Sequence, residues 1–247
     1  MGPDGWQGDQ LPGFVHSLNK GEEFKFACHK GVSCFTECCR LLELTLTPYD
    51  ILRLRRATGL DSREFLEKYV IIEQEPDESL PRLYLTMIDD GRGSCPFVVS
   101  NGCSVYEHRP GACRVYPLGR AARQLQSGKI EEHFVLVKEE HCRGFEESTP
   151  QTAERFSLDQ GMTEYCTFND ALANLLQHGK VYSDSAEAQR KTELFLLALY
   201  NLDEWRAMLT LGAIDSIDAG TAQAMAKSTD EELLIFSFKW LSERIFS

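Results

Sequence analysis

Eight of the nine cysteines fall between residues 28 and 142. The first group reads Cys28-His29-Lys30-Gly31-Val32-Ser33-Cys34-Phe35-Thr36-Glu37-Cys38-Cys39, a C-x5-C-x3-C-C spacing. The second comprises Cys95-Pro96-Phe97, Cys103-Ser104-Val105-Tyr106 and Arg109-Pro110-Gly111-Ala112-Cys113-Arg114. Cys142 follows in His141-Cys142-Arg143-Gly144. Thiolates are soft ligands that hold zinc, Cu(I) or iron–sulfur clusters. Several can converge on one centre only where the backbone turns tightly, and Gly31, Gly102, Gly111, Pro96 and Pro110 supply such turns. A lone cysteine such as Cys166 reads as a small core residue. Eight in one block read as metal ligands. Adjacent side chains in extended backbone point to opposite faces, so Cys38 and Cys39 share a centre only within a turn. Eight thiols suffice for two four-thiolate sites, or for one site and spare thiols.

Basic residues gather beside these cysteines. Arg109, Arg114, Arg120, Arg123 and Lys129 lie in a stretch with no acidic residue, and Arg53, Arg55 and Arg56 form a second group. A centre held by four thiolates is net negative, so nearby guanidinium groups stabilise it and favour the thiolate. Guanidinium groups also take carboxylate or phosphate. Arg109 and Arg114, close to cysteines, are the candidates for binding a cofactor. Arg120, Arg123 and Lys129 read as a solvated basic face. His29, His108 and His141 adjoin motif residues, but adjacency does not aim an imidazole at the same metal, so surface or supporting roles are expected. No phosphate loop, dinucleotide-binding glycine fingerprint or H-E-x-x-H is present, and no catalytic residue is assigned.

The elements that must position these residues are readable in outline. Thr47 caps a helix with Pro48 in its first turn and Gly59 at its end. A second helix starts at Asp61 or Ser62 and runs through Tyr69. Leu83–Ile88 and His133–Val137 are strand candidates. Helical spacing marks 152–160, 163–177, a long span 186–211 and 229 to the end. The expected class is α+β and α-rich, a loop-rich cysteine region with small strands packed on a C-terminal helical part. The expected division is a flexible lead-in at 1–21, a cysteine-cluster metal-binding domain at 22–149 and a helical region at 150–247.

Composition bounds the partners. The chain has 247 residues and a net charge of −12, which argues against nucleic acid as a partner. The longest apolar run, Leu194 to Tyr200, is far short of the roughly 20 residues that span a bilayer, so no membrane partner is expected. No secretory signal is visible, and the expected compartment is the reducing cytoplasm, where disulfides are rare.

The ordered set Cys28…Cys34…Cys38-Cys39, Cys95-Pro96-Phe97, Cys103-Ser104-Val105-Tyr106, Arg109-Pro110, Cys113-Arg114 and Pro117 resembles the YkgJ-type cysteine-cluster family over about residues 24–145. Its members, mostly bacterial, are described as zinc- or iron-chelating. The resemblance implies ligand roles for Cys28, Cys34, Cys38, Cys39, Cys95, Cys103 and Cys113, with Cys142 as a further ligand. Members commonly show C-x2-C-x2-C-C in the first cluster, which here is longer. That longer spacing resembles a subgroup with a helical C-terminal extension. The same domain is similar to part of flagellin lysine N-methylases, which are associated with an iron–sulfur cluster and use S-adenosylmethionine.

The first expectation is therefore a protein that holds an iron–sulfur cluster, 4Fe-4S favoured, or zinc. Zinc suits tighter C-x2-4-C pairs than the first group offers. One alternative, implied by the resemblance, is an S-adenosylmethionine-dependent methyltransferase acting on lysine of a protein substrate. The other is a module that handles exchangeable metal.

Overall fold

The computed structural model describes residues 11–75, 78–124, 130–176 and 185–244, and the side chains of Arg123, Lys129, Gln177 and Ile245 lie outside that description. The fold is α+β and rich in helix, with small sheets of two or three strands. The chain divides into two compact units. Residues 1–42 and 87–166 form the first, and residues 43–86 and 167–247 form the second. All nine cysteines belong to the first.

The first unit is built from short strands and turns. Strands β1 (Val15–Leu18), β7 (Leu118–Gln124) and β8 (Ile130–Val137) form an antiparallel sheet in the order β1-β8-β7. Thus Val15–Leu18, within the stretch expected as a lead-in, is a strand whose Val15 faces Val137. β2 (Glu23–Lys25) pairs with β9 (Pro150–Thr152), and β5 (Val98–Val99) pairs with β6 (Gly102–Cys103). The helical pieces are short: α3 (Gly111–Val115), α4 (Ala153–Asp159) and the first turn of α5 (Met162–Leu176). Thr152 caps α4 by accepting the Arg155 N–H. The core is aromatic. Phe26 packs against Phe145 at 5.2 Å and Phe156 at 6.0 Å between ring centroids, with Tyr116 also at 6.0 Å. Gly144 is required there, because a Cβ would stand 2.5 Å from the Phe26 ring and 2.9 Å from the Ala27 carbonyl.

The second unit is helical. α1 (Pro48–Thr58) begins with a capping box between Thr47 and Asp50 and ends on Gly59 in the left-handed region. α2 (Ser62–Tyr69) has a capping box between Asp61 and Glu64. The hairpin β3 (Val70–Glu73) and β4 (Arg82–Leu85) follows. The strand expected at 83–88 is thus shorter, and Ile88 makes only an isolated bridge to Ser94 in the first unit. The long helix expected over 186–211 is two: α6 (Ser185–Leu199) and α7 (Leu202–Leu211). Asn201 lies outside the helical region, and the apolar stripe continues through the break because Leu199, Tyr200, Leu202 and Trp205 are all buried. α8 (Ala219–Ala226), not expected from the sequence, precedes α9 (Asp230–Ser242), which Thr229 caps. Trp205 and Trp240 meet at 4.9 Å, and Tyr49 stacks on Phe168 at 4.3 Å. Among the described residues no helix is long and apolar enough to cross a membrane.

Candidate metal centre

The first cysteine segment is a chain of tight turns. Val32 N–H donates to the His29 carbonyl, Phe35 to Val32, Glu37 to Cys34 and Cys39 to Thr36, all near 3.0 Å. Thr36 sits at φ 71, in the left-handed region, and is followed by a 3-10 turn at Glu37–Cys39. Arg40 Nη1 donates to the Thr36 carbonyl at 3.0 Å and braces that turn. Two long-range bonds moor the start of the segment. Ala27 N–H donates to the Gly144 carbonyl at 3.0 Å, and Gln151 Nε2 to the Phe26 carbonyl at 2.6 Å. Cys28 is consequently held beside the turn that carries Cys142.

One cavity is lined by Cys28, Cys34, Cys38 and Cys142, together with Tyr116 and His141. Arg143 N–H donates to Cys34 Sγ at 3.1 Å, the kind of hydrogen bond that tunes sulfur ligands. Partial burial, then the neighbouring thiols of Cys38, Cys34 and Cys142, push the Cys28 pKa up to about 11. Burial likewise raises Cys142. The buried Tyr116 hydroxyl makes no hydrogen bond of normal geometry. Burial, with Cys142 and Glu139 alongside, raises its pKa.

The other four cysteines are placed by different elements. Cys95 N–H donates to the Cys39 carbonyl at 2.8 Å, which ties the two motif segments together. The β5–β6 hairpin sets Cys103 opposite Val98, and Val98 N–H closes a turn on the Cys95 carbonyl at 3.1 Å. Gly102 turns this hairpin at φ 118, in the left-handed region. Cys113 rides on α3. Cys39 lies within electrostatic reach of Cys95 and Cys113, and Cys95 within reach of Cys103 and, less strongly, of Cys38. Burial raises the pKa of both Cys95 and Cys103. Cys38 and Cys39 share a hydrogen bond, which lowers the pKa of Cys38 and raises that of Cys39. The pair thus gives up one proton readily and the second reluctantly.

The arginines divide. Arg109 is 8% exposed and lies 3.8 Å over the Tyr106 ring. It donates to the Tyr106 carbonyl at 2.7 Å and to Gln160 Oε1 at 2.7 Å. Its charge reaches Cys28 and Cys103 and lowers the pKa of each against the larger effect of burial. Arg114 Nη1 donates to the Gln160 carbonyl at 2.8 Å, Nη2 donates to the Glu107 carbonyl at 2.5 Å, and the guanidinium lies over Tyr165. Arg120 pairs with Glu132 at 2.7 Å. Arg53, Arg55 and Arg56 stand in the second unit, where they meet Tyr49, Asp203 and Glu231. Their charges are matched within that unit, and the expectation that they face an anionic centre is corrected.

The histidines also part company. His29 Nδ1 accepts the Gly31 N–H at 3.1 Å and Nε2 lies 3.3 Å from Glu147, so both nitrogens are engaged away from the thiols. His141 lines the cavity. Tyr116 and Gln160 had no part in the sequence reading. Tyr116 is three residues beyond Cys113, a signal that was available. Gln160 is 51 residues from Arg109, and only folding brings them together.

The donor set suits a thiophilic metal, with four thiols lining one cavity and four more placed beyond it. Among the described residues, no group of three or more His, Cys, Asp or Glu has its donor atoms already arranged to hold an ion. With several thiols raised in pKa, closing such a sphere requires protons to leave as metal enters. No curated protein and no solved structure matches the chain. Residues 27–149 match the CxxCxxCC family, described as "Putative zinc- or iron-chelating domain", the same kind of cysteine-cluster domain that the motif resembles.

Proposed function

We propose that this protein binds an iron–sulfur cluster, or zinc, through Cys28, Cys34, Cys38, Cys39, Cys95, Cys103, Cys113 and Cys142. The observation that supports the reading best is the cavity shared by Cys28, Cys34, Cys38 and Cys142, which come from sequence positions up to 114 residues apart. A hydrophobic core has no use for four thiols around one space lined also by His141 and Tyr116. The loose C-x5-C-x3-C-C spacing favours a cluster over zinc, which suits tighter pairs.

A bound cluster supplies a one-electron centre, and zinc supplies a cross-link between loops. The chain's own residues do the rest. Arg109 places a buried positive charge within reach of Cys28 and Cys103, which offsets the charge of thiolates. Arg143 N–H holds the Cys34 sulfur. Phe26 and Val32 line the same cavity and limit water there.

Metal and acid-labile sulfide analysis of chain purified without oxygen, with a visible spectrum, tests this. Iron and sulfide in equal amounts with broad absorption near roughly 400 nm identify a cluster. Zinc in a colourless sample identifies the zinc form. A chain that carries neither metal and takes up neither when reduced overturns the proposal.

A further inference from the structure

We infer that the eight cysteines form two separate four-thiolate centres, one from Cys28, Cys34, Cys38 and Cys142 and one from Cys39, Cys95, Cys103 and Cys113. This rests on the metal-binding reading and adds the number of centres and their membership. Adjacent Cys38 and Cys39 then serve different centres.

Three observations carry the partition. The cavity is the first: Cys28, Cys34, Cys38 and Cys142 all line it, and none of the other cysteines does. Within that set, Cys28 is in electrostatic reach of the other three, and Cys34 of Cys142.

The second is the placement of the remaining four. The Cys95 N–H to Cys39 carbonyl bond joins those residues directly. The short β5–β6 hairpin brings Cys103 back toward the Cys95 turn. The Cys39 thiol has Cys95 and Cys113 as its electrostatic neighbours after Cys38, and Cys95 has Cys103 ahead of Cys38, the residue at the junction between the two sets.

The third is the backbone at the junction. Cys38 and Cys39 lie in a 3-10 turn, where successive side chains diverge by about 120° because there are three residues per turn. The two thiols stay close enough to share a hydrogen bond, yet only Cys38 lines the cavity, while Cys39 has Cys95 and Cys113 within electrostatic reach.

Arg109 supports the same division. Four thiolates around a divalent ion leave net negative charge, and two such centres in one unit repel. Arg109 is buried, fixed by Tyr106 and Gln160, and within reach of one cysteine from each set, Cys28 and Cys103. A cation held there lessens the repulsion between them.

Cobalt(II) is the probe, because its charge-transfer absorption reports thiolate ligands, and the reduced full-length chain is titrated with it. The wild-type chain is expected to take two ions. Cys34→Ser/Cys142→Ser and Cys95→Ser/Cys103→Ser are each expected to take one and to keep the thiolate absorption of the intact set. One ion in the wild type overturns the inference while leaving the metal-binding reading intact. So does loss of both ions from either double variant, the mark of one shared centre. No uptake at all overturns the metal-binding reading itself.

Should a variant fail to fold, the wild-type chain decides the matter. It is loaded with one equivalent of cobalt, alkylated, and read by fragmentation of the intact chain. Protection in a block of four thiols, all from one set, is expected. Protection of a mixed block, such as Cys34 with Cys95, overturns the partition.

Discussion

At the scale of single residues, identical side chains are differentiated by surroundings. Cys38 receives a hydrogen bond from Cys39 and deprotonates easily, whereas Cys28, partly buried beside three other thiols, holds its proton to about pH 11. Cys166 belongs to neither group: it rides on α5, outside both motif segments. Cys38→Ser and Cys113→Ser are therefore expected to lower metal content and soluble yield, and Cys166→Ser to leave metal content unchanged. Elemental analysis of the three variants checks this. A drop with Cys166→Ser would show that α5 supplies a ligand, and unchanged content in both of the others would remove them from the site. The motif positions were legible from residue type and order, since thiols, glycines and prolines signal by identity. The role of Tyr116 was not, because its importance lies in what it sits beside.

At the scale of elements, helix ends were read well and helix continuity was not. Thr47, Asp61, Thr152 and Thr229 each accept a backbone N–H from three residues on, a local event written in adjacent residues. The break between α6 and α7 has no Gly or Pro to announce it. It follows from packing, because Tyr200 and Leu202 are both buried on either side of Asn201. Asp203, in the first turn of α7, joins this region to α2. Its carboxylate accepts from Ser62 N–H at 2.7 Å and Ser62 Oγ at 2.8 Å, and pairs with Arg55. Partial burial raises the Asp203 pKa, but the Ser62 hydrogen bonds and the Arg55 charge outweigh it, and the net shift is downward from 3.8. A depressed folded pKa contributes stability above the unfolded value, which is lost as pH falls through the folded value. Asp203→Asn is accordingly expected to lower stability by about 1 kcal/mol at neutral pH, the difference between charged and neutral hydrogen bonds. The gap to wild type should close as pH falls below 3.8. Urea unfolding followed across pH checks it, and a gap that widens in acid would contradict the assignment.

At the scale of the whole molecule, two units with different sources of stability share one chain. The second unit has a helical core in which Leu54, Phe65, Trp205, Leu234 and Leu241 are fully buried. The first relies on short strands, 3-10 turns and an aromatic cluster around Phe26, and most residues of the turns at 28–40 are exposed or half-buried. A metal-held region of that kind loses local order when the metal leaves. Chelation of the reduced, loaded chain is expected to speed amide exchange at 28–39 and 95–113 while α7 and α9 stay protected. Exchange measured by mass spectrometry with and without chelator reads this directly. Equal protection in both states would show that the thiols hold no structural metal.

The chain by itself determined the chemistry of its cysteine block, the caps of its helices and its α+β class, because each depends on residue identity and on spacing within a few positions. Tertiary structure decided what depends on distance between remote segments. It set Cys142 beside Cys28, Arg109 on Gln160 and the two neighbouring thiols of Cys38 and Cys39 toward different partners. It also joined residues 43–86 to the C-terminal helices as one unit. No local signal encodes these pairings. They arise when buried apolar surface and backbone hydrogen bonds are satisfied together, and only the folded chain satisfies both at once.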